Sequence, residues 1–310
     1  MKGLVPFRVH PRCLQTHRGH AMTGLVKASH PGTLYVVSSS IGNPHDISPR
    51  ALETLRSADL VLAEDTRSAR KLLEEHGIDR RTESCFDANE PDRAEQAAAL
   101  LRTGASVAVL SEAGTPTVSD PGYRVVRAAI AEGARVVPIP GPSAVLAALV
   151  GSGLPTDRFV FLGFPPRKAG ARQKLLGQIR PLAATLVFFE SPHRVAVTLT
   201  DLGAFLGAGR PACVARELTK THEEFVRGTL AELARRYQNE RPLGEVTLVV
   251  AGAPEQDRDD SPSDDELRSM ARALLAQGLS TRDVADTLAS DTGRLRRDIY
   301  RLVLDLHTRR

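Results

Sequence analysis

Short runs of β-branched and other apolar residues alternate with amphipathic, helix-like segments from residue 33 to residue 250. This alternation is typical of an α/β architecture, in which helices cover the faces of a mostly parallel sheet. One set of predicted strands ends at Ile139, and a second set begins near Arg158. The chain has 310 residues, enough for about two domains of ~150 residues each. The sequence therefore predicts two successive α/β domains.

Strands are predicted wherever β-branched and apolar residues form a short run, over 34–37, 59–65, 106–110, 135–139, 159–162, 185–190, 212–216 and 245–250. Helices are predicted between them, over 49–58, 66–76, 91–102, 123–132, 169–179, 193–206 and 230–237. Ser48 followed by Pro49 has the chemistry of a helix N-cap and a first-turn proline. Gly77 and Gly133 each follow a predicted helix, where glycine commonly ends one.

The organisation expected from these patterns has five parts: a leader over 1–30, α/β domains over 31–152 and 153–252, an acidic linker over 253–263, and a helical tail over 264–310. The leader is basic, and the first acidic residue of the chain is Asp46. It is interpreted either as a disordered tail or as the product of an upstream start codon, in which case Met22 is the natural start. The linker is rich in acids, Pro and Ser, which favours a solvated segment.

The tail is predicted to form three short helices, over 265–277, 281–289 and 295–307. The turn before the second of them resembles a helix-turn-helix, with Ser280 or Thr281 as N-cap. Six arginines and two aspartates lie between Arg294 and Arg310. Such a basic helix either binds nucleic acid or packs against the main body or a second subunit, and the sequence leaves both open.

The three cysteines, Cys13, Cys85 and Cys213, are far apart and form no C-x-x-C pair. Neither a disulfide framework nor a zinc site is therefore expected, which fits a reducing cytoplasm. The sequence has no run of about 18 apolar residues, so no membrane-spanning helix is predicted either. The net charge of +4 permits an anionic partner without requiring one.

Three loops rich in Gly, Pro and small hydroxyl residues follow predicted strands, over 38–44, 113–122 and 140–144. Open α/β sheets place ligand-binding loops at such strand ends, and Gly allows a ligand to approach the backbone closely. The chain has no G-x-G-x-x-G after a strand, no P-loop and no G-x-S-x-G elbow, so dinucleotide, P-loop nucleotide and serine-hydrolase sites are not supported. The loops indicate a ligand site of another kind.

Seven motifs, in their order along the chain, resemble those of the ribosomal RNA small subunit methyltransferase I family, which belongs to the tetrapyrrole methylase superfamily. The matching segments lie between about residues 33 and 252: Leu34-Tyr35-Val36-Val37 with Ile41-Gly42-Asn43-Pro44, Ala63-Glu64-Asp65-Thr66-Arg67, Ser111-Glu112-Ala113-Gly114-Thr115-Pro116 with Ser119-Asp120-Pro121-Gly122, Pro140-Gly141-Pro142-Ser143-Ala144, Gly163-Phe164-Pro165-Pro166, Phe189-Glu190-Ser191-Pro192-His193-Arg194, and Arg216-Glu217-Leu218-Thr219-Lys220. The chain departs from the family pattern at Ser39-Ser40, where Thr-Pro is usual, and at Glu112, where Asp is usual.

The resemblance implies two α/β domains, not of the Rossmann type, with S-adenosylmethionine bound in the cleft between them, and a homodimer. The cofactor contacts that it implies are Ile41, Gly114, Thr115, Val118, Ser119, Ser143, Ala144, Phe189 and Val246. A sulfonium and an adenosine need carbonyl oxygens, small side chains and an apolar wall more than charged ligands, so these residue types suit the cofactor. The alternative is that the loops are only tight turns.

The activity that the resemblance implies is methylation of the ribose 2′-oxygen of a cytidine in the decoding region of 16S rRNA. The partner would be 16S rRNA or the small ribosomal subunit, in the cytoplasm. A 2′-hydroxyl must be aligned with the methyl group and lose its proton, so a base or cation near it would carry the rate. The catalytic candidates are Glu190, Lys220 and Asp65, with Glu217 beside them. Salt bridges at the cleft rim are the alternative for each.

Basic residues predicted to contact RNA phosphates are Arg67, Arg167, Lys168, Arg172, Lys174 and Arg194, with Arg216 as a further candidate. Several of them lie in the segment 166–185, which has five basic residues and no acid, as expected of a phosphate-binding ridge. A solvated helix face would show the same composition. Two other functions remain open from the sequence: a corrin or porphyrin methyltransferase, and a ribosome-binding protein without catalytic activity.

Overall fold

The structure is a computed structural model, and it describes residues 31–254, 264–292 and 294–308. The predicted leader and most of the predicted acidic linker lie outside these residues. Within them, the strands form two five-stranded sheets, the first from residues 33–139 and the second from residues 159–250. The expected α/β architecture is therefore confirmed.

The first sheet is parallel throughout, in the order β3-β2-β4-β1-β5. Its strands are β1 (Thr33–Val37), β2 (Leu60–Ala63), β3 (Thr82–Ser84), β4 (Ser106–Leu110) and β5 (Arg135–Ile139). Its helices are α1 (Pro49–Ser57), α2 (Thr66–Glu75), α3 (Glu90–Arg102) and α4 (Tyr123–Ala131). A hydrophobic cluster lies on each face of the sheet. Strands buried on both faces explain the continuous apolar runs in the sequence.

Local chemistry sets the ends of these helices. The Ser48 hydroxyl accepts a hydrogen bond from the Ala51 N–H, and Pro49 opens α1, as predicted. The Asp65 carboxylate caps α2 by accepting the Arg67 N–H. Strand β3 was not predicted, because three residues with one buried side chain give no recognisable period.

The second sheet is mixed, in the order β6-β7-β10-β8-β9, and only β6 and β7 are parallel. Its strands are β6 (Phe159–Phe161), β7 (Thr185–Glu190), β8 (Pro211–Arg216), β9 (Glu224–Thr229) and β10 (Val246–Val250). Its helices are α5 (Ala144–Ser152), α6 (Ala169–Ile179), α7 (Val195–Leu206) and α8 (Leu230–Asn239). Helices α6, α7 and α8 share one hydrophobic cluster with this sheet, and α5 shares another with it.

Helix α5 connects the two sheets and was not predicted. It is apolar around most of its circumference, so it has no amphipathic period. Val145, Ala148 and Leu149 pack against the second sheet, although the helix follows the last strand of the first. Strand β9 was missed as well, because none of its six residues is fully buried.

The tail forms three helices, α9 (Asp264–Ala276), α10 (Thr281–Thr292) and α11 (Arg296–Thr308), which confirms the predicted number and order. They have a small core of their own, which includes Ala271, Val284, Leu288 and Val303. The Ser280 hydroxyl accepts the Asp283 N–H, so Ser280 is the N-cap of α10.

Cys85 and Cys213 are both buried and free. Burial raises the pKa of each thiol to about 11, so both stay neutral and inert near neutral pH. Across residues 31–254, 264–292 and 294–308, the structure has no helix long and apolar enough to cross a membrane. The same residues contain no group of three or more His, Cys, Asp or Glu arranged to hold a metal ion.

Candidate functional site

A cleft of about 320 Å³ lies between the two sheets, within the range of about 300–1,000 Å³ usual for small-molecule sites. Its N-terminal wall consists of Ile41, residues 113–115 and 118–120 of the second loop, and residues 143–145 at the start of α5. Its C-terminal wall consists of Phe164, residues 189–192, Leu218 and residues 244–247. All nine residues expected to contact the cofactor line this one cleft, and their contact with a cofactor stays a prediction.

The N-terminal wall is shaped by its backbone. Gly114, Thr117 and Ser119 adopt left-handed conformations, with φ of 79°, 73° and 65°. Such conformations are costly for Thr and Ser, so surrounding contacts must hold them. The Ser39 N–H donates to the Gly114 carbonyl over 2.9 Å, and the buried Glu90 carboxylate accepts the Gly122 N–H over 2.9 Å. The loop is therefore fixed at both of its ends.

The first and third loops are packed together behind this wall. A Cβ added at Gly141 would lie 2.8 Å from the Ser38 Cβ, so only glycine allows the two loops to approach this closely. The hydroxyls of Ser38 and Thr115 are 3.0 Å apart and share a hydrogen bond, which joins the first loop to the second. The three loops therefore act as one rigid surface.

The C-terminal wall is shaped by side chains at or near the ends of strands. The ring of Phe189 lies 4.8 Å from that of Phe161 and 5.6 Å from that of Phe164, in edge-to-face and tilted arrangements. Val246 pairs with Glu190 across the antiparallel strands β10 and β7. This wall offers a ligand an aromatic, apolar surface.

The charge of the lining suits a cationic ligand. Three lining residues are carboxylates, Asp120, Glu190 and Glu245, and the described lining contains no Lys or Arg. S-adenosylmethionine carries a sulfonium, an ammonium and a carboxylate, and hence a net positive charge. Acidic groups with small hydroxyls and an apolar wall match that molecule. The residues present therefore fit the expected cofactor.

Glu190 lies at the cleft but is fully engaged. Its carboxylate accepts hydrogen bonds from the Ser191 N–H over 2.8 Å and from the Thr198 hydroxyl. The Arg194 guanidinium approaches it to 3.4 Å, and the Glu190 side chain is 0% exposed. These contacts fix the start of α7 against the end of β7, which is a structural role.

Lys220 does not line the cleft, but it binds a residue that does. Its ammonium lies 2.9 Å from Glu217 and 3.3 Å from Glu245. Burial opposes the positive charge, but hydrogen bonds and charges of the two glutamates outweigh it and raise the pKa of Lys220. Lys220 is therefore a cation near neutral pH and cannot accept a proton. The hydrogen bond from Lys220 lowers the pKa of Glu217 in turn.

The structure places Asp65 outside the cleft. It borders a smaller neighbouring pocket together with Glu64, Ser68 and Glu112. The N–H of Arg67 holds the pKa of the Asp65 carboxyl below its usual value, as expected of an exposed helix cap. Asp65 is therefore not among the residues that line the cofactor cleft, and its catalytic role stays a prediction.

The predicted RNA-binding residues divide into exposed and engaged groups. Arg67, Arg167, Lys168 and Lys174 are exposed. Arg172 is buried, with its Nε 2.6 Å from Asp201 and its Nη1 donating to the carbonyls of Pro166 and Arg167. A guanidinium in this position cannot reach a phosphate, so the prediction is corrected at Arg172. Arg194 is half-buried and donates to the Pro165 carbonyl over 2.7 Å.

The sequence reasoning missed several lining residues. Asp120 was noted only as part of a loop motif, and Phe164, Leu218 and Glu245 were not singled out. Glu245 immediately precedes β10 and Phe164 follows β6, so their places beside strand ends were the available signal. Which of these side chains face the cleft depends on how the two sheets meet.

A sequence profile of the tetrapyrrole (corrin/porphyrin) methylases matches residues 33–234. The fold is also similar to a crystal structure of uroporphyrin-III C-methyltransferase from Thermus thermophilus, complexed with S-adenosyl homocysteine. That similarity has a TM-score of 0.50 at 22% identity and covers 70% of this chain and 97% of that chain. The two-sheet fold with its cleft is therefore that of the tetrapyrrole methylases.

Proteins similar in sequence define the family of this chain more narrowly. Ribosomal RNA small subunit methyltransferase I of Synechocystis is 46% identical over 89% of this chain and 98% of its own length. The protein of the same name from Mesorhizobium japonicum is 47% identical over 88% of this chain and 92% of its own length. The chain belongs to the tetrapyrrole methylase family and, within it, to the group whose curated members are named ribosomal RNA small subunit methyltransferase I.

Proposed function

We propose that this protein transfers a methyl group from S-adenosylmethionine to the RNA of the small ribosomal subunit, at the ribose 2′-oxygen of a cytidine in the decoding region. The observation that carries the proposal is the cleft, where three rigid loops and an aromatic wall enclose a space lined by apolar side chains and three carboxylates. Relatives with this name match nearly the whole chain. The expected homodimer and the cytoplasmic location belong to the same proposal.

The roles of the residues follow from the walls of the cleft. When bound, S-adenosylmethionine supplies an electrophilic methyl group on a positively charged sulfur. The backbone of the N-terminal wall would hold the cofactor by hydrogen bonds, since its loop conformations are fixed before binding. Phe164 and Phe189 would exclude water from it. Positioning of the hydroxyl by such a preformed site supplies much of the rate of a two-substrate transfer.

The exposed basic residues near the cleft would hold the RNA. Arg167 and Lys168 follow Phe164 of the C-terminal wall within four residues, and both are exposed. Lys174 lies on α6 and is exposed as well. Contacts of this kind to phosphates position an RNA without reading its sequence, and they weaken as salt concentration rises.

The test is to incubate the protein with cofactor labelled in its methyl group and with either free 16S rRNA or assembled small subunits. Nuclease digestion and mass spectrometry then locate the label. Label on a ribose of the decoding region supports the proposal, and label on a base, or none on RNA, contradicts it. Calorimetry with the cofactor alone separates an enzyme from a ribosome-binding protein without catalytic activity, because only the former requires cofactor binding. Light scattering measures the oligomeric state.

A further inference from the structure

A ribose hydroxyl is a poor nucleophile until its proton is removed, so the proposed reaction needs a proton acceptor close to the reacting oxygen. Among the described residues, the acidic side chains that line the cleft are Asp120, Glu190 and Glu245. Both oxygens of Glu190 accept hydrogen bonds, and its side chain is 0% exposed. Glu245 is 71% exposed, and its carboxylate is paired with the Lys220 ammonium over 3.3 Å, so it is not free to receive a hydroxyl group. Asp120 remains.

Asp120 has one engaged oxygen and one open oxygen. Its Oδ2 accepts the hydroxyl hydrogen of Ser111, and no hydrogen bond to its Oδ1 is found among the residues that the structure describes. The side chain is half-buried and lines the cleft beside Ser119 and Val118. A proton acceptor needs this combination, with one contact to orient the carboxylate and one lone pair directed at the substrate.

The backbone holds this carboxylate in place. Ser119 before it has a left-handed φ of 65°, and Pro121 after it restricts rotation. The Thr117 N–H donates to the Pro121 carbonyl over 3.3 Å, which closes the loop around Asp120. The carboxylate is therefore positioned by the fold before any ligand binds.

The charged and titratable groups around Asp120 come from three strand ends. Glu64 follows β2, Glu112 follows β4, and the neutral thiol of Cys85 follows β3. Burial raises the pKa of Asp120, the Ser111 hydrogen bond opposes this, and the negative charge of Glu112 adds to it. Burial and the charge of Asp120 likewise raise the pKa of Glu64. A carboxylate in such surroundings is a stronger base than a free aspartate.

We infer that Asp120 accepts the proton of the hydroxyl group that is methylated, an inference that rests on the proposed function. The hydroxyl oxygen forms its bond to the methyl carbon with a lone pair. The bond between that carbon and sulfur breaks, and its electron pair stays on sulfur. The proton of the hydroxyl passes to the open oxygen of Asp120 and later to water.

The first test replaces Asp120 with Asn, which keeps the shape and removes the basic oxygen. We expect kcat to fall by about 100-fold or more, the usual contribution of a general base, while the cofactor Kd measured by calorimetry rises by a much smaller factor, because Glu190, Glu245 and the loop backbone still line the cleft. Asp92→Asn, on the exposed surface of α3, is the matched control and should leave both quantities unchanged. A D120N protein that keeps its kcat, or that loses only cofactor affinity, overturns the inference.

The second test shifts the pKa of Asp120 without removing its carboxylate. Ser111→Ala removes the hydrogen bond that favours the carboxylate, so the pH below which kcat falls should move up. Glu112→Gln removes a neighbouring negative charge, so the same pH should move down. Carbon-13 NMR titration of the Asp120 carboxyl, assigned by its loss in D120N, should shift in the same two directions without any substrate. The inference is contradicted if both variants shift these pH values in the same direction, or if neither variant shifts them.

The two proposals fail separately. If the unchanged protein labels no RNA, the proposed function fails whatever Asp120 does. If it labels RNA and D120N labels it equally fast over the whole pH range, only the role of Asp120 fails.

Discussion

The two walls of the cleft are built by different means. The N-terminal wall uses backbone: loops with left-handed residues, glycines in close contact and few charged side chains. The C-terminal wall uses side chains, held in place by ion pairs such as those of Glu190 with Arg194 and of Lys220 with Glu217. The first sheet is parallel, so all its strands deliver loops to one edge, whereas the mixed second sheet delivers only some of its strand ends there. We therefore expect substitutions that alter the backbone to disrupt the N-terminal wall, and substitutions that remove a charge to disrupt the C-terminal wall.

The largest effect on stability is expected where the C-terminal domain uses a buried charge. Arg172→Ala would leave Asp201 without this ion-pair partner and would remove the Arg172 hydrogen bonds to the carbonyls of Pro166 and Arg167. We expect a loss of about 2–4 kcal/mol in the free energy of unfolding, since breaking a buried pair strands the remaining charge. Urea denaturation measures it.

Lys174→Ala is the matched control on the same helix, because Lys174 is exposed. It should change stability by less than about 0.5 kcal/mol and lower the salt dependence of RNA binding by about one unit of slope. If the two variants instead lose equal stability, the division between engaged and exposed basic residues is refuted.

An intermediate effect is expected from a backbone change in the N-terminal wall. Gly114 has a φ of 79°, and an added Cβ would lie 3.3 Å from the Ile41 side chain. Gly114→Ala should cost about 1–2 kcal/mol through left-handed strain, and cofactor affinity measured by calorimetry should fall about tenfold.

Gly133→Ala provides the comparison, because Gly133 has a φ of 68° with nothing within 4 Å of an added Cβ and lies outside the cleft lining. It should cost similar stability and leave cofactor affinity unchanged. Reduced affinity in both variants would show that loss of stability, and not the loop itself, weakens binding.

The smallest effect is expected from Lys220→Met, because the ion pairs of Lys220 are partly exposed. The loss of stability should be under about 1 kcal/mol at neutral pH. The pKa of Glu217 is lowered, so its stabilising contribution is present above the unfolded value of about 4.3 and disappears as pH falls through the folded value. Thermal unfolding from pH 3 to pH 8 should therefore show that the difference in stability between the Lys220→Met variant and the unchanged protein disappears at acid pH. Lys71→Met on α2 should be as stable as the unchanged protein at both ends of this pH range.

Much of the fold could be predicted from local patterns. Strands β4, β5 and β7 and helix α6 have the predicted bounds, and most of the other predicted elements differ by one or two residues. The three ligand loops were found because strand ends in α/β sheets are informative. The nine expected cofactor contacts, by contrast, came from family resemblance, and no local pattern shows which of them share one cavity.

The sequence by itself determined the alternation of strands and helices, the cap at Ser48 and the loops at strand ends, because these depend on neighbours within a few residues. Only the tertiary structure decided how charges are used. Arg172 and Lys174 are two residues apart, yet one is buried against Asp201 and the other faces solvent. Glu190 and Asp120 line the same cleft, yet within the part of the chain that the structure describes both oxygens of Glu190 accept hydrogen bonds and only one oxygen of Asp120 does. Burial and partner choice depend on distant segments, which no local pattern records.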